Sequence, residues 1–230
     1  MVKRPTPHRK LTRRAAPRRE AYHHGNLTEA LIAATLQLID EKGPDAVSVR
    51  EAARRAGVSS GAPFRHFPNR IALMTAVAEQ AMERLREEVV NALAGVPEDQ
   101  PLQRLRAAGL AYVRWALRNP SQFQVVSSRN WIDFEHSASL QKNSAETRAL
   151  MEHLVRQAMQ RGEVLASQAA LVPAIGRALT YGLARMAVDG HLSQWGIDTE
   201  REWEPFLDAA LDVFMAGISP HRLEDGSEGR

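Results

Sequence analysis

The stretch S-V-R-E-A-A-R-R-A-G-V-S-S-G-A-P-F-R-H-F-P-N-R, residues Ser48–Arg70, decides the fold of this chain. Ser48 and Glu51 form the pattern of a capping box, which begins a helix by satisfying its first free N–H groups. Gly57 stands where this helix should end, because glycine enters the left-handed conformation without steric cost. Ser59 then begins a second helix, predicted over residues 59–66. Two short helices joined by a tight turn indicate a helix-turn-helix, whose second helix reads DNA.

An amphipathic helix is predicted before this unit and a long helix after it. The first runs over Asn26–Lys42, with Asn26 and Glu29 as its cap pair. The long helix begins after Asn69 and continues to about Ala94. The three short helices are too small to be stable alone, because the smallest domains bury too little surface. They must therefore pack on the long helix.

The remaining chain is predicted to be helical throughout. Apolar periodicity indicates helices at about 100–118, 120–128, 137–162, 168–189 and 199–217. No stretch alternates with period two for long, so we expect an all-α fold without a sheet. The chain then divides into four parts. They are a disordered basic arm (1–21), a helix-turn-helix DNA-binding domain (22–70), a C-terminal regulatory and dimerisation domain (71–218) and a flexible tail (219–230).

The composition argues against several classes of protein. The chain of 230 residues has no cysteine, hence no disulfide framework and no thiolate chemistry. No apolar run approaches the roughly 18 residues that a membrane span needs. Neither a nucleophile elbow nor a phosphate-binding glycine loop is present, so we expect no enzyme and no cofactor. His23 and His24 suggest a metal, but neighbouring residues on an extended segment point apart and no cysteine or carboxylate cluster completes a site. We therefore predict no metal.

Positive charge is concentrated at the start of the chain. Residues 1–20 carry eight Lys/Arg and one Glu, whereas the whole chain has a net charge of only +3. A basic arm on a mildly acidic body favours a polyanionic partner, because neutralised phosphates release counterions. Two interpretations of the arm stay open. It lies along the DNA backbone or minor groove, or it is a solubilising tail.

The residues quoted so far resemble the TetR family of bacterial repressors. The resemblance is carried by Ala46–Ala53, Ala56–Ser59 and Phe64–Leu73, and the segment Tyr22–Leu27 is similar to one branch of the family. It implies a sequence-specific regulator that binds double-stranded DNA. The regulator that the resemblance implies is a homodimeric repressor that binds a palindromic operator and is released from it by a small-molecule effector. Such a protein would be cytoplasmic and would join the bacterial nucleoid when bound to DNA.

The predicted reader helix suggests which residues contact DNA. Arg65 is the strongest candidate, because a bidentate guanine contact is worth about 1–3 kcal/mol of discrimination. The helix N-terminus at Ser59–Ala62 allows close backbone approach and favours a phosphate. The resemblance adds backbone contacts from Arg50 and Arg70. The expected DNA-binding residues are Ser48, Arg50, Ser59, Ser60, Gly61, Ala62, Phe64, Arg65, His66, Asn69 and Arg70.

Two residues of the reader helix depart from the family pattern. Phe64 stands where the family usually has tyrosine, so the ring keeps its apolar contact but loses a hydroxyl that would bind phosphate. Pro63 stands where an apolar helix former is usual. Because proline has no N–H, it removes the first intrahelical donor and is expected to distort the start of this helix slightly.

The C-terminal helices contain all four tryptophans. Two interpretations of their aromatic rings stay open. The rings line an apolar pocket for an effector, or they belong to the ordinary hydrophobic core. The pocket candidates are Trp115, Phe123, Trp131, Phe134 and Tyr181. The last helix is apolar on two faces and helix 168–189 carries small residues, which predicts a homodimer through a four-helix interface. The interface candidates are Leu179, Leu183, Phe206, Ala210 and Val213.

Two non-enzymatic alternatives stay open from the sequence. The first is an architectural DNA-binding protein that tolerates any sequence, driven by the basic arm. Salt-dependent binding of equal strength on all DNA would favour it. The second is a helical protein-interaction module, which intact DNA binding after Arg65→Ala would favour.

Overall fold

The computed structural model describes residues 24–198 and 200–220, and this part of the chain is all-α, as predicted. It contains no strand and eight α-helices joined by turns and short 3₁₀ segments. The helices are α1 (His24–Lys42), α2 (Val49–Arg55), α3 (Arg70–Ala94), α4 (Pro101–Arg118), α5 (Pro120–Ser127), α6 (Ala138–Gln160), α7 (Val172–Val188) and α8 (Glu200–Ile218). The basic arm (1–21) and His23 lie outside the described residues, as does the tail beyond residue 220.

Helix ends follow the local signals in most places. The side chain of Asn69 accepts a hydrogen bond from the backbone N–H of Ala72 at 2.8 Å and so caps α3, as predicted. The predicted cap of α1 is wrong. This helix begins at His24, two residues before Asn26, so Asn26 lies inside it. Neither His24 nor Gly25 is a proline, so both can adopt helical angles, although glycine is an unfavourable helix residue.

Helix α3 connects two hydrophobic clusters. Its first half, from Leu73 to Ala78, is buried with apolar side chains of α1 and α2 in the N-terminal cluster. Its second half, from Ala81 to Leu93, is buried with α4, α7 and α8 in the C-terminal cluster. The helix has 25 residues and is therefore about 37 Å long. Any tilt of α3 within the second cluster must move the first.

Helix α4 is the centre of the C-terminal half, and Gly109 lets two helices approach it closely. A Cβ atom added at Gly109 would lie 3.3 Å from Cγ2 of Thr180 on α7 and 3.4 Å from Cδ1 of Leu211 on α8. Since the cluster around α4 is fully packed, no nearby side chain has free room to move away. This contact explains why a residue of low helix propensity stands in the middle of α4.

Gly109→Val is expected to lower the free energy of unfolding by about 1–3 kcal/mol, because overpacking forces neighbouring side chains and backbone apart. Urea unfolding followed by circular dichroism measures it. Gly217→Ala is the matched control, since a Cβ at this helical glycine meets nothing within 4 Å. It should leave stability unchanged or raise it by up to about 1 kcal/mol. Equal stability of the two variants would contradict the close packing described for α4.

In the part of the chain that the structure describes, no helix has both the length and the apolarity needed to cross a lipid bilayer.

Candidate nucleic-acid interface and regulatory site

The first helix of the helix-turn-helix forms as its capping residues predict. Ser48 has extended backbone angles, and its hydroxyl oxygen accepts a hydrogen bond from the Glu51 N–H at 3.2 Å. The Glu51 carboxylate does not complete the capping box but binds the Arg54 guanidinium at 2.6 and 2.9 Å. Gly57 has φ +69°, the left-handed conformation expected of it. The turn therefore leads the chain away from α2 as predicted.

The second helix of the unit differs from its prediction. Residues 59–66, here called the reader segment, form a turn followed by a single 3₁₀ turn at Pro63–Arg65. The α-helix predicted over these residues is wrong, because the N–H that would bind the Ser59 carbonyl is missing at Pro63. Instead Ala62 donates its N–H to that carbonyl at 3.1 Å. Without a helix N-terminus at Ser59 and Ser60, the dipole argument for a phosphate there is lost.

Two arginines of the helix-turn-helix bind no acidic residue among the described residues. The guanidinium groups of Arg50 and Arg65 are exposed and have no hydrogen-bond or ion-pair partner among the described residues. By contrast, Arg54 binds Glu51, and this contact lowers the pKa of the Glu51 carboxyl to about 2. Arg55 likewise binds Glu41. Arg50 and Arg65 are thus available to bind a polyanion, whereas the charges of Arg54 and Arg55 are already neutralised.

Three of the other expected DNA-binding residues also hold the fold together. Ser48 and Asn69 cap helices, as described above. Arg70 donates from Nη2 to the Pro44 carbonyl oxygen at 2.9 Å, and Asp45 lies 3.6 Å from the same nitrogen. This bond could not be predicted from the sequence, because it joins residues 26 positions apart. Contact of these three residues with DNA stays a prediction.

The remaining expected DNA-binding residues lie on the surface around the reader segment. Ser59, Ser60 and Gly61 are exposed, and Phe64 keeps 40% of its surface accessible. Ala62 and His66 are half-buried. The structure thus brings all of them together on one short stretch whose buried members, Pro63 and Phe67, face the protein.

Asn69→Ala is expected to lower the free energy of unfolding by about 1 kcal/mol, because it removes the side-chain cap of α3. Chemical denaturation measures the change. Asn69→Ser retains a capping oxygen and should stay near the wild-type value. If Asn69→Ala weakens DNA binding while Asn69→Ser does not, the cap is the cause; if both weaken it, the amide itself contacts DNA.

The five predicted pocket residues do not lie together. Trp115 and Phe123 are fully buried in the C-terminal cluster, and the Tyr181 ring centre is 6.0 Å from that of Phe123. Trp131 and Phe134 instead pack against the N-terminal cluster, beside α3. The predicted set is therefore split between two cores. The first three residues form a packed aromatic group in one of them.

A cleft of about 610 Å³ lies between the C-terminal end of α3 and α4. Its surface is mostly apolar, and two arginines of α4 line it. Arg106 donates to Asp208 at 2.8 Å and to Asp212 at 2.6 Å, and Arg114 binds Glu204 at 2.6 Å. All three carboxylates belong to α8, so the cleft adjoins the contact between α4 and α8. Sequence reasoning missed it, although the four-residue spacing from Arg106 through Leu110 to Arg114 places all three on one side of α4.

A smaller cleft of about 340 Å³ lies where the two halves meet. Asp133 and His136, next to the pocket candidates Trp131 and Phe134 in sequence, form one side of it. The backbone N–H of Asp133 donates to the Thr75 hydroxyl at 2.9 Å, and the Ser137 hydroxyl donates to Glu79 at 2.6 Å. These bonds tie the C-terminal half to α3 next to the reader segment. No group of three His, Asp or Glu within the described ranges could hold a metal ion.

The predicted interface residues lie at different depths in one chain. Val213 on α8 is 74% exposed, and Leu179, Phe206 and Ala210 are partly buried against the C-terminal cluster. Leu183 is only 7% exposed and packs inside that cluster, so the prediction that it lies at an interface is wrong. It lies three residues after Thr180, which contacts Gly109 of α4, and so on the same face of α7. Sequence reasoning missed the exposed apolar residues Leu171, Ile175 and Trp195.

A short capped helix, a glycine turn and a reader segment, placed beside a long connecting helix and a separate helical core, are typical of DNA-binding transcriptional regulators. Two family models agree with this class. "Bacterial regulatory proteins, tetR family" matches residues 31–77, and "Tetracyclin repressor-like, C-terminal domain" matches residues 105–210. The chain belongs to the TetR family. Members of this family regulate transcription rather than catalyse reactions, and they typically act as dimers that bind small-molecule effectors.

Individual relatives match part of the chain in sequence. The HTH-type transcriptional regulators BetI of Escherichia coli O139:H28 and Klebsiella pneumoniae (strain 342) are each 38% identical over 77 residues. That alignment covers 34% of this chain and only 40% of each relative. Similarity in structure extends further. A protein of unknown function from Rhodococcus sp. RHA1 aligns with a TM-score of 0.72 at 27% identity, over 88% of this chain and all of that one. A putative tetR family regulator from Shewanella sp. PV-4 aligns at 0.62 and 21% identity, over 84% of this chain and 98% of its own.

Proposed function

We propose that this protein is a repressor that binds a palindromic operator as a homodimer and is released by a small-molecule effector. The observation that carries the DNA-binding part is the charge pattern of the helix-turn-helix. Arg50 and Arg65 have no partner within the described residues, whereas Arg54 and Arg55 are paired with acids. Free guanidinium groups beside an exposed reader segment are suited to phosphate and guanine acceptors.

Two-fold symmetry places the two reader segments about one DNA turn, roughly 34–36 Å, apart. Exposed apolar residues on α7 and α8, such as Ile175 and Val213, support a dimer through these helices. A symmetric contact presents the same patch twice, so one apolar face suffices to close it. In this proposal residues 22–70 are the DNA-binding domain and residues 71–218 sense the effector and dimerise. The arm (1–21) adds contacts to the DNA backbone.

The effector site of this proposal is the larger cleft. Its volume of about 610 Å³ falls in the range that small-molecule sites occupy, roughly 300–1,000 Å³. Ala92 of α3 and Arg106 of α4 both line it. A ligand that binds more tightly when α3 is shifted would change the spacing of the reader segments. Operator affinity would then fall by up to the ratio of the ligand's affinities for the shifted and unshifted states.

Binding-site selection from random double-stranded DNA with the full-length protein tests the proposal. We expect the selected DNA to share a palindromic consensus that is bound at moderate salt. DNase footprinting on that sequence should then show protection of both half-sites. Binding of equal strength on all sequences, lost steeply as salt rises, would instead identify the architectural DNA-binding protein.

A thermal-shift screen then identifies ligands of the free protein. A ligand at a hundred times its dissociation constant stabilises the folded state by about 2.7 kcal/mol. Each positive compound is added to the protein–operator complex. Release of DNA supports the repressor mechanism, whereas a ligand that binds without changing operator affinity contradicts it.

A further inference from the structure

We propose that Pro63 is a specificity-determining residue of the reader segment, an inference that rests on the proposed operator binding. By keeping the segment out of an α-helix, Pro63 sets which side chains face the groove together. The chemistry this arrangement selects is a thymine methyl next to a guanine, recognised by Ala62 and Arg65.

The only backbone N–H group that the reader segment lacks is that of Pro63. Ala62 has φ −62° and ψ −42°, and His66 has φ −102° and ψ −41°, so both have right-handed helical angles. The backbone hydrogen bonds that they donate nevertheless reach back three residues, as in a 3₁₀-helix. The Ala62 N–H donates to the Ser59 carbonyl at 3.1 Å, and the His66 N–H donates to the Pro63 carbonyl at 2.9 Å. A four-residue bond reappears only at Phe67, which donates to the Pro63 carbonyl at 2.8 Å. The chain already runs in the helical direction, and only the N–H at position 63 is absent.

The ring of Pro63 fixes the segment to the protein. Pro63 is buried, whereas the next two residues, Phe64 and Arg65, are exposed. The reader segment contacts both α1 and α2 through the 3₁₀ turn. Since the buried ring cannot rotate without losing this packing, Phe64 and Arg65 are held pointing outwards.

The helix type decides which side chains share a face. In a 3₁₀ turn residues three apart eclipse one another, so Ala62 and Arg65 present to the same side. In an α-helix with 3.6 residues per turn the same two positions differ by about 60°. An α-helical reader would therefore turn the two side chains about 60° apart, so that Ala62 and Arg65 could not reach neighbouring base edges in the same way. Neighbouring contacts to a thymine methyl and to guanine O6 and N7 follow from the 3₁₀ pairing.

Binding-site selection with full-length wild-type protein, Pro63→Ala and Pro120→Ala tests this. Pro63→Ala returns the missing donor and should gain helical circular dichroism. It should select a half-site that differs from the wild-type one, and bind the wild-type operator at least tenfold more weakly than its own. Pro120→Ala is the control: Pro120 is exposed at the first position of α5, so the same substitution adds a backbone N–H there without changing the reader segment. It should keep the wild-type half-site.

The outcomes separate this inference from the function on which it rests. If wild type and Pro63→Ala select one half-site with equal affinity, Pro63 does not determine specificity, although the operator function stands. If the wild type selects no sequence at all, the operator function fails and the inference fails with it. A thermal melt checks that Pro63→Ala is folded. Should it unfold, Pro63→Val, which keeps an apolar side chain of similar size in the buried position, makes the same comparison.

Discussion

Arg65→Ala is expected to weaken operator binding by about 1–3 kcal/mol, roughly five- to 150-fold. The guanidinium of Arg65 is exposed and unpaired in the described structure, so no carboxylate competes with DNA for its donors. Because it makes no contact within the chain, its removal should leave the melting temperature unchanged. Fluorescence anisotropy with a labelled operator at fixed salt measures the loss of affinity.

Arg54→Ala is the matched control for this prediction. Arg54 is also exposed and close to the reader segment in sequence, but its charge is neutralised by Glu51 at 2.6 Å. Its loss should change operator affinity less than twofold, because DNA must first break that pair to use it. Full operator affinity in Arg65→Ala would remove the helix-turn-helix from DNA recognition and favour the helical interaction module.

Helix ends in this protein could be predicted because the signals are local. Ser48 and Asn69 each satisfy an N–H three residues further on, and Gly57 adopts its positive φ, whatever the rest of the chain does. Such contacts depend only on residues within one helical turn. The fold class and all eight α-helices followed from these signals and from apolar periodicity. However, α1 starts two residues earlier than its expected cap, and α7 starts at Val172, four residues later than predicted.

The reader segment shows a local rule prevailing over a family pattern. The sequence predicted a slight distortion at Pro63, yet the whole α-helix is absent there. A helix of only two turns has few bonds to spare, so the loss of its first one prevents nucleation rather than bending the helix. The family resemblance could not show this, because the usual residue at that position carries the donor.

The C-terminal half was harder to predict because burial there is a property of several helices at once. Periodicity identifies Leu183 and Val213 equally as apolar positions, yet Leu183 packs against α4 and Val213 faces outwards. In the same way, Trp131 and Trp115 belong to different clusters. A helix that is apolar on two faces does not reveal which face meets its own chain and which meets a partner.

Val213→Asp is expected to convert the protein to a monomer. Val213 is 74% exposed within one chain, so the change should leave the fold of that chain intact. In a two-fold interface the substitution appears twice, and each new carboxylate loses its water without gaining a cationic partner. Sedimentation velocity should show a halved mass. Operator affinity should fall by roughly 10²–10⁴, because linked binding to two half-sites is lost.

Val90→Asp separates the loss of a particular contact from the addition of a charge. Val90 is a second exposed valine, at 45%, but it lies on α3 rather than on α7 or α8. It should stay dimeric and bind the operator as wild type does. A dimeric Val213→Asp protein would place the interface elsewhere.

If Val213→Asp is monomeric, it should still prefer its half-site over random DNA, because Arg65 and the reader segment are unchanged. Arg65→Ala should show the reverse, an intact dimer with weakened sequence preference. The two variants thus assign dimerisation to α8 and base recognition to the reader segment independently.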